Sequence, residues 1–125
     1  GASPIWIGLI AGVVCCYAVR LKTKLGYDDA LDVVGVHFVG GLVGSLLIGF
    51  FANPEFFGGA FMKGIFYGGD IELLLEQALA NGAAIAWSFG VTLAIMLVLK
   101  KTIGVRVDQE AEATGLDLAL HGETA

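Results

Sequence analysis

The sequence predicts an all-α membrane protein with three transmembrane helices. Hydrophobic residues make up 57% of its 125 residues and charged residues only 15%, and the mean hydropathy is +0.82, which is more apolar than a soluble domain. Three segments are long and apolar enough for the roughly 20 residues that a helix needs to cross a bilayer. We place the spans at about residues 4–22, 29–52 and 71–101. Residues 1–103 then form the transmembrane region, and residues 104–125 form a cytosolic tail.

The first predicted span, residues 4–22, contains small residues at helical spacing. Gly8 and Gly12 lie four residues apart, and such pairs let membrane helices approach closely. Cys15 and Cys16 are adjacent, so we interpret them as small core hydrophobes rather than as a disulfide.

The second predicted span, residues 29–52, contains a histidine, His37, in the middle of its apolar run. It lies nine residues after Asp28, which is about 13 Å of α-helix and close to mid-bilayer. An imidazole there is costly and indicates a functional site facing other helices. The alternative is a histidine satisfied by a backbone carbonyl inside a helix bundle. On α-helical spacing one face carries Val33, His37, Gly41 and Gly44.

Acidic residues precede and begin this second span. Asp28 and Asp29 are suited to capping free amides at the positive end of the helix dipole. Asp32 is more consistent with a structural role of the same kind than with a transport ligand.

The third predicted span, residues 71–101, has no ionisable residue between Ala78 and Leu99. Asn81 is predicted to donate a hydrogen bond to another helix. The preceding connection, residues 53–77, contains Pro54 and five glycines. These residues predict a folded loop, with the start of the third helix extending beyond the membrane.

The basic residues predict the orientation in the cell membrane. Six of the seven lie at or just beyond the C-terminal end of the first or the third span, and only Lys63 lies in the connection between the second and third spans. The positive-inside rule makes the side with six basic residues cytoplasmic. We therefore expect a multi-pass protein whose N-terminal end is external and whose C-terminus is cytoplasmic.

Three helices are too few to surround a polar path through a bilayer. We therefore interpret the chain as part of a larger membrane protein. Nucleotide-binding loops, nucleophile triads and nucleic-acid-binding patches are missing from the sequence, so we expect neither an enzyme nor a nucleic-acid partner. His37 has no second histidine or cysteine at ligand spacing in the spans, which disfavours a haem or metal site; no cofactor is expected.

Residues 28–44 read DDALDVVGVHFVGGLVG. This run resembles the tenth transmembrane helix of the ammonium transporter (Amt/Mep/Rh) family, whose pattern is approximately D-D-x-x-D-x-x-G-x-H-x-x-x-G-x-x-G. The loop Gly64–Gly69 and the tail are also similar to that family. The resemblance covers essentially the whole chain. It implies that the three helices are the ninth to eleventh of an eleven-helix bundle.

The resemblance implies a homotrimer with a narrow hydrophobic pore through each protomer, conducting ammonium or ammonia. His37 matches the second of two pore histidines that hydrogen-bond to each other at mid-membrane. Val33 matches an apolar pore-lining position, and Asp32 matches a structural acidic residue near the cytoplasmic pore mouth. The partner histidine would come from the remaining helices of the same transporter.

The tail, residues 104–125, resembles the family's cytosolic C-terminus, which couples protomers and meets PII-type nitrogen-regulatory proteins. Its five acidic residues face a single arginine, Arg106, and by composition alone it is a solvated extension. The residues that match the family's regulatory tail are Gly115, Leu116, Asp117, His121, Gly122 and Glu123.

The residue types suit such a conduit. A bare ammonium ion in an apolar pore is poorly solvated, whereas neutral ammonia can cross after deprotonation at the entrance. Imidazoles both donate and accept hydrogen bonds and have a pKa near neutrality, so a pair can relay a proton. The alternative is a membrane assembly or nitrogen-sensing regulatory module with a transporter-like body that conducts nothing.

Overall fold

In a computed structural model, the chain is described at residues 2–57, 59 and 62–122, and these residues form helices without any strand. Three helical segments are long and apolar enough to cross a membrane: Ser3–Leu25, Val33–Phe51 and Glu72–Thr102. The all-α membrane class predicted from composition is therefore confirmed. The chain divides into two compact units, Gly1–Ile85 and Ala86–Ala125.

Helix α1 spans Ser3–Leu25. Pro4 lies in its first turn, where a missing N–H costs nothing. The helix ends at Gly26, whose left-handed backbone (φ 70°) lets its N–H donate to the Lys22 carbonyl.

The second apolar segment begins at Val33, four residues after the predicted start at residue 29, and it is not one regular helix. Val33–Phe38 is π-helical, and the α-helix α2 follows at Val39–Phe51. We call Val33–Phe38 the π-segment. The α-helical spacing assumed for these six residues is therefore wrong, because the Val39 N–H donates to the carbonyl of Val34, five residues back.

Two glycines allow this second segment to pack closely against α1 and against Leu74. A Cβ on Gly35 would lie 2.9 Å from the backbone nitrogen of Val19 in α1, and a Cβ on Gly49 would lie 2.7 Å from the Cα of Leu74. Backbone atoms cannot yield as a flexible side chain can. The close approach therefore requires glycine at both positions.

The connection after α2 is folded, as predicted, in the residues that the structure describes. It contains 3₁₀ turns at Pro54–Phe57 and Ile65–Tyr67. The Phe66 ring lies 5.0 Å from the Phe51 ring, edge on. The Ser3 hydroxyl donates to the Tyr67 hydroxyl at 3.1 Å, which links this loop to the start of α1.

Helix α3 spans Glu72–Thr102, and α4 spans Gln109–Thr114. The Asp108 carboxylate accepts the Ala111 N–H at 2.8 Å and caps α4. A short π-helical turn follows at Asp117–His121. The predicted tail thus contains two short helical segments.

Candidate pore-lining site

His37 lies in the last turn of the π-segment, and its side chain is exposed. Within the described part of the chain the imidazole has no hydrogen-bond or ion-pair partner. No backbone carbonyl among these residues accepts a hydrogen bond from it, so the interpretation of a histidine satisfied by a carbonyl of the bundle depends on helices beyond this chain. An imidazole within a membrane span would need a polar partner, and residues 2–57, 59 and 62–122 do not provide one.

Val33, the other predicted pore-lining residue, begins the π-segment and is 50% exposed. Gly41 and Gly44 also face open space, because a Cβ at either position would meet nothing within 4 Å. Each of these candidate positions is therefore uncovered within the described chain. Gly40, by contrast, faces α1, where a Cβ would lie 3.0 Å from the Cys15 sulfur.

Polar contacts hold the first turn of the π-segment. The Asp29 carboxylate accepts the N–H groups of Val33 at 2.7 Å and Val34 at 2.9 Å. The predicted capping role of Asp29 is thus confirmed. These amides have no partner inside the helix, so without Asp29 the segment would begin with unsatisfied donors.

Asp32 lies directly before Val33 and has a left-handed backbone with φ 55°. Aspartate tolerates this conformation better than most residues. Its carboxylate forms an ion pair with the ammonium group of Lys22 near the end of α1. That contact binds Asp32 to protein, in keeping with a structural role rather than a transport ligand.

Lys22 contacts Asp29 and Asp32, although its sequence pattern predicts no role for it beyond marking the membrane orientation. Its ammonium group also donates to the Asp29 carbonyl at 3.0 Å. A lysine inside the last turn of an apolar helix, followed within ten residues by three aspartates, was the signal that could have found it. Buried or half-buried charges are paired.

An interhelical polar contact lies further along α2. The Ser45 hydroxyl donates to the Asn81 side-chain oxygen of α3 at 2.9 Å. Asn81 was predicted to donate to another helix, and this is wrong: its amide nitrogen donates to the Gln77 carbonyl of its own helix. The expected contact between helices exists, with Asn81 as the acceptor.

The predicted regulatory residues lie in the second compact unit. Gly115 and Gly122 flank the Asp117–His121 turn with positive φ values of 100° and 68°. Leu116 is 47% exposed, and His121 is exposed as well. Glu123 lies outside the described residues.

The family model described as Ammonium Transporter Family matches residues 2–125. The chain belongs to the ammonium transporter family. The resemblance of the Asp–His motif and the tail to this family is thereby confirmed.

Named relatives agree with this family assignment. An ammonium transporter of Mycobacterium tuberculosis (strain ATCC 25618 / H37Rv) is 51% identical over 122 residues, which is 94% of this chain and 26% of the relative. An ammonium transporter of Bacillus subtilis (strain 168) is 42% identical, over 98% of this chain and 30% of the relative. The Ammonium transporter Amt1 of Archaeoglobus fulgidus is 40% identical with the same coverage. The chain thus spans less than a third of the length of these relatives.

Proposed function

We propose that this chain is the C-terminal segment of an ammonium transporter and that His37 lines its pore. The observation that carries the proposal is the exposed imidazole of His37, which has no partner among the described residues although it lies within an apolar membrane-length segment. A second pore histidine from the remaining helices would supply the missing partner. Two imidazoles that exchange a hydrogen bond can relay a proton while neutral ammonia crosses.

The surroundings of His37 suit that role. Val33 and the open positions Gly41 and Gly44 offer an apolar, uncovered strip on the same segment. An apolar lining disfavours the bare cation. Asp32 is held by Lys22 at the start of the segment, where we place the cytoplasmic mouth of the pore.

The proposal includes the orientation and the assembly. The N-terminal end of the segment lies outside the cell and the tail lies in the cytoplasm, as the six basic residues on one side favour. The complete protein is a homotrimer. Gly115, Leu116, Asp117, His121, Gly122 and Glu123 form its regulatory tail, which couples protomers and binds a PII-type protein.

Replacing the imidazole tests the pore assignment. The complete transporter carrying this segment is reconstituted in vesicles, and ammonium uptake is measured per inserted protein. His37→Ala should lower the rate by about a hundredfold, the scale of positioned acid–base groups. Phe38→Ala is the matched control, because it truncates the neighbouring exposed side chain and should keep most of the rate.

Unchanged rate and selectivity in His37→Ala would refute the pore role. Failure of the unmodified protein to take up ammonium would instead favour the alternative, a regulatory module that does not conduct.

Removing residues 115–125 tests the tail. Uptake by the truncated transporter should no longer respond to a PII-type protein, while the unregulated rate persists. A normal response to that protein, together with normal coupling between protomers, would refute the regulatory assignment.

A further inference from the structure

We propose that Lys22 is a positioning residue for His37, acting through the register of the π-segment. The side chain of Lys22, near the end of α1, binds the turn that precedes this segment. These contacts determine the position of the His37 imidazole. This inference rests on the proposed function, because it gives Lys22 a part in ammonium conduction by way of His37.

The contacts of Lys22 join two residues that the π-segment needs. Its ammonium group binds the Asp32 carboxylate and the Asp29 carbonyl, and its side chain is only 28% exposed. Asp29 uses its carboxylate for the first two amides of the segment, and the Asp32 carbonyl accepts the Val36 N–H at 2.8 Å. The Lys22 ammonium group thus holds Asp29 and Asp32, the two residues that accept hydrogen bonds from three backbone amides of the π-segment.

The geometry against α1 explains why the register matters. Gly35 contacts Val19, and Gly40 faces Cys15. Two positions five apart in the second segment therefore lie opposite two positions four apart in α1. A π-helical turn, which adds one residue to a helix, lies within this stretch. The Cys15 thiol also donates weakly to the Val36 carbonyl at 3.8 Å, within this wider turn.

A return to α-helical register would move His37. One residue of an α-helix corresponds to about 100° of rotation, so the two ends of the segment would turn relative to each other by that angle. Displacements of about 1 Å already reduce the rates of positioned groups. The Lys22 contacts oppose this change at the start of the segment, where no regular helix precedes it.

The test uses the complete transporter that carries this segment, reconstituted in vesicles. Lys22→Met keeps the apolar stem and removes the charge. We expect the maximal uptake rate per inserted transporter to fall about tenfold, with an unchanged half-saturating ammonium concentration, because entry to the pore is not altered. Lys22→Arg restores a cation and should recover most of the rate.

The matched control is Lys24→Met, which removes a charge from the same turn of α1. Lys24 is exposed and has no hydrogen bond or ion pair within the described residues. Its maximal rate should equal that of the unmodified protein. A general loss of surface charge would slow both variants alike and would overturn the inference.

The outcomes separate this inference from the proposed function. A normal maximal rate in Lys22→Met, beside a slow His37→Ala, would overturn the role of Lys22 and leave the pore assignment intact. A normal rate in His37→Ala would remove both. If Lys22→Met does not insert, Asp32→Asn removes the partner charge and still tolerates the left-handed backbone; a fall in its maximal rate supports the inference, and a normal rate overturns it.

Discussion

The second apolar segment, Val33–Phe51, and the third, Glu72–Thr102, are both long and apolar enough to span a membrane, yet they are built differently. The second changes from π- to α-helix, carries His37, and begins with amides capped by Asp29. The third is one continuous α-helix, and none of its most apolar window is buried within the described chain. Hydropathy therefore predicts which segments are long and apolar enough to cross a membrane, whereas close contacts and polar anchors distinguish the segment in which we propose the pore residues.

A cross-link gives the largest contrast between the two segments. Gly40→Cys should form a disulfide with Cys15 under mild oxidation, because its Cβ would lie 3.0 Å from the Cys15 sulfur, which suits disulfide geometry. Gly90→Cys in α3 has nothing within 4 Å of its Cβ and should not cross-link. Mass spectrometry of a Cys16→Ala background measures the yield. Equal disulfide yields for Gly40→Cys and Gly90→Cys would show that the second segment does not pack more closely on α1 than α3 does.

Glycine-to-alanine substitutions should give the next largest difference. Gly35→Ala places a methyl group 2.9 Å from the Val19 backbone nitrogen and should destabilise the complete protein by about 1–3 kcal/mol, as overpacking does. Gly90→Ala meets no atom of the described chain within 4 Å and should cost less. Thermal unfolding in detergent compares them. An unchanged stability of Gly35→Ala would show that the second segment does not pack against α1 as closely as described.

The smallest expected difference concerns a polar contact between α2 and α3. Ser45→Ala removes the hydrogen bond to Asn81 and should lower stability by about 0.6 kcal/mol, typical of such bonds inside membranes. Ser88→Ala in α3 is the control, because Ser88 has no side-chain hydrogen bond within the described residues. The same unfolding measurement applies. A neutral Ser45→Ala would mean that this bond contributes nothing.

The sequence predicted the features that depend on composition and local chemistry. The three membrane-length helices follow from apolar length, and the Asp29 cap follows from a carboxylate placed just before an apolar run. The roles of His37, Val33 and Asp32 in a pore stay predictions, because they depend on helices that would pack against the uncovered side.

The π-segment could not be predicted, because it coincides with a contact that is not local. It overlaps a match between two positions five apart, Gly35 and Gly40, and two positions four apart in α1. Periodicity in one segment carries no information about that match. The Lys22 contacts were missed for the same reason, since they join residues across a turn whose path the sequence does not specify.

The length of α3 has a consequence of its own. Its 31 residues extend about 46 Å at 1.5 Å per residue, whereas the hydrocarbon layer is about 30 Å thick. The excess, about 16 Å, must lie among lipid headgroups or in water, or be absorbed by tilt. Glu72 and Glu76 lie at one end of the helix, and Lys100 and Lys101 lie at the other. The turns that exceed the hydrocarbon thickness therefore carry the charges. In a bilayer of different thickness, α3 would change its tilt or its depth while both charged ends stay outside the hydrocarbon layer.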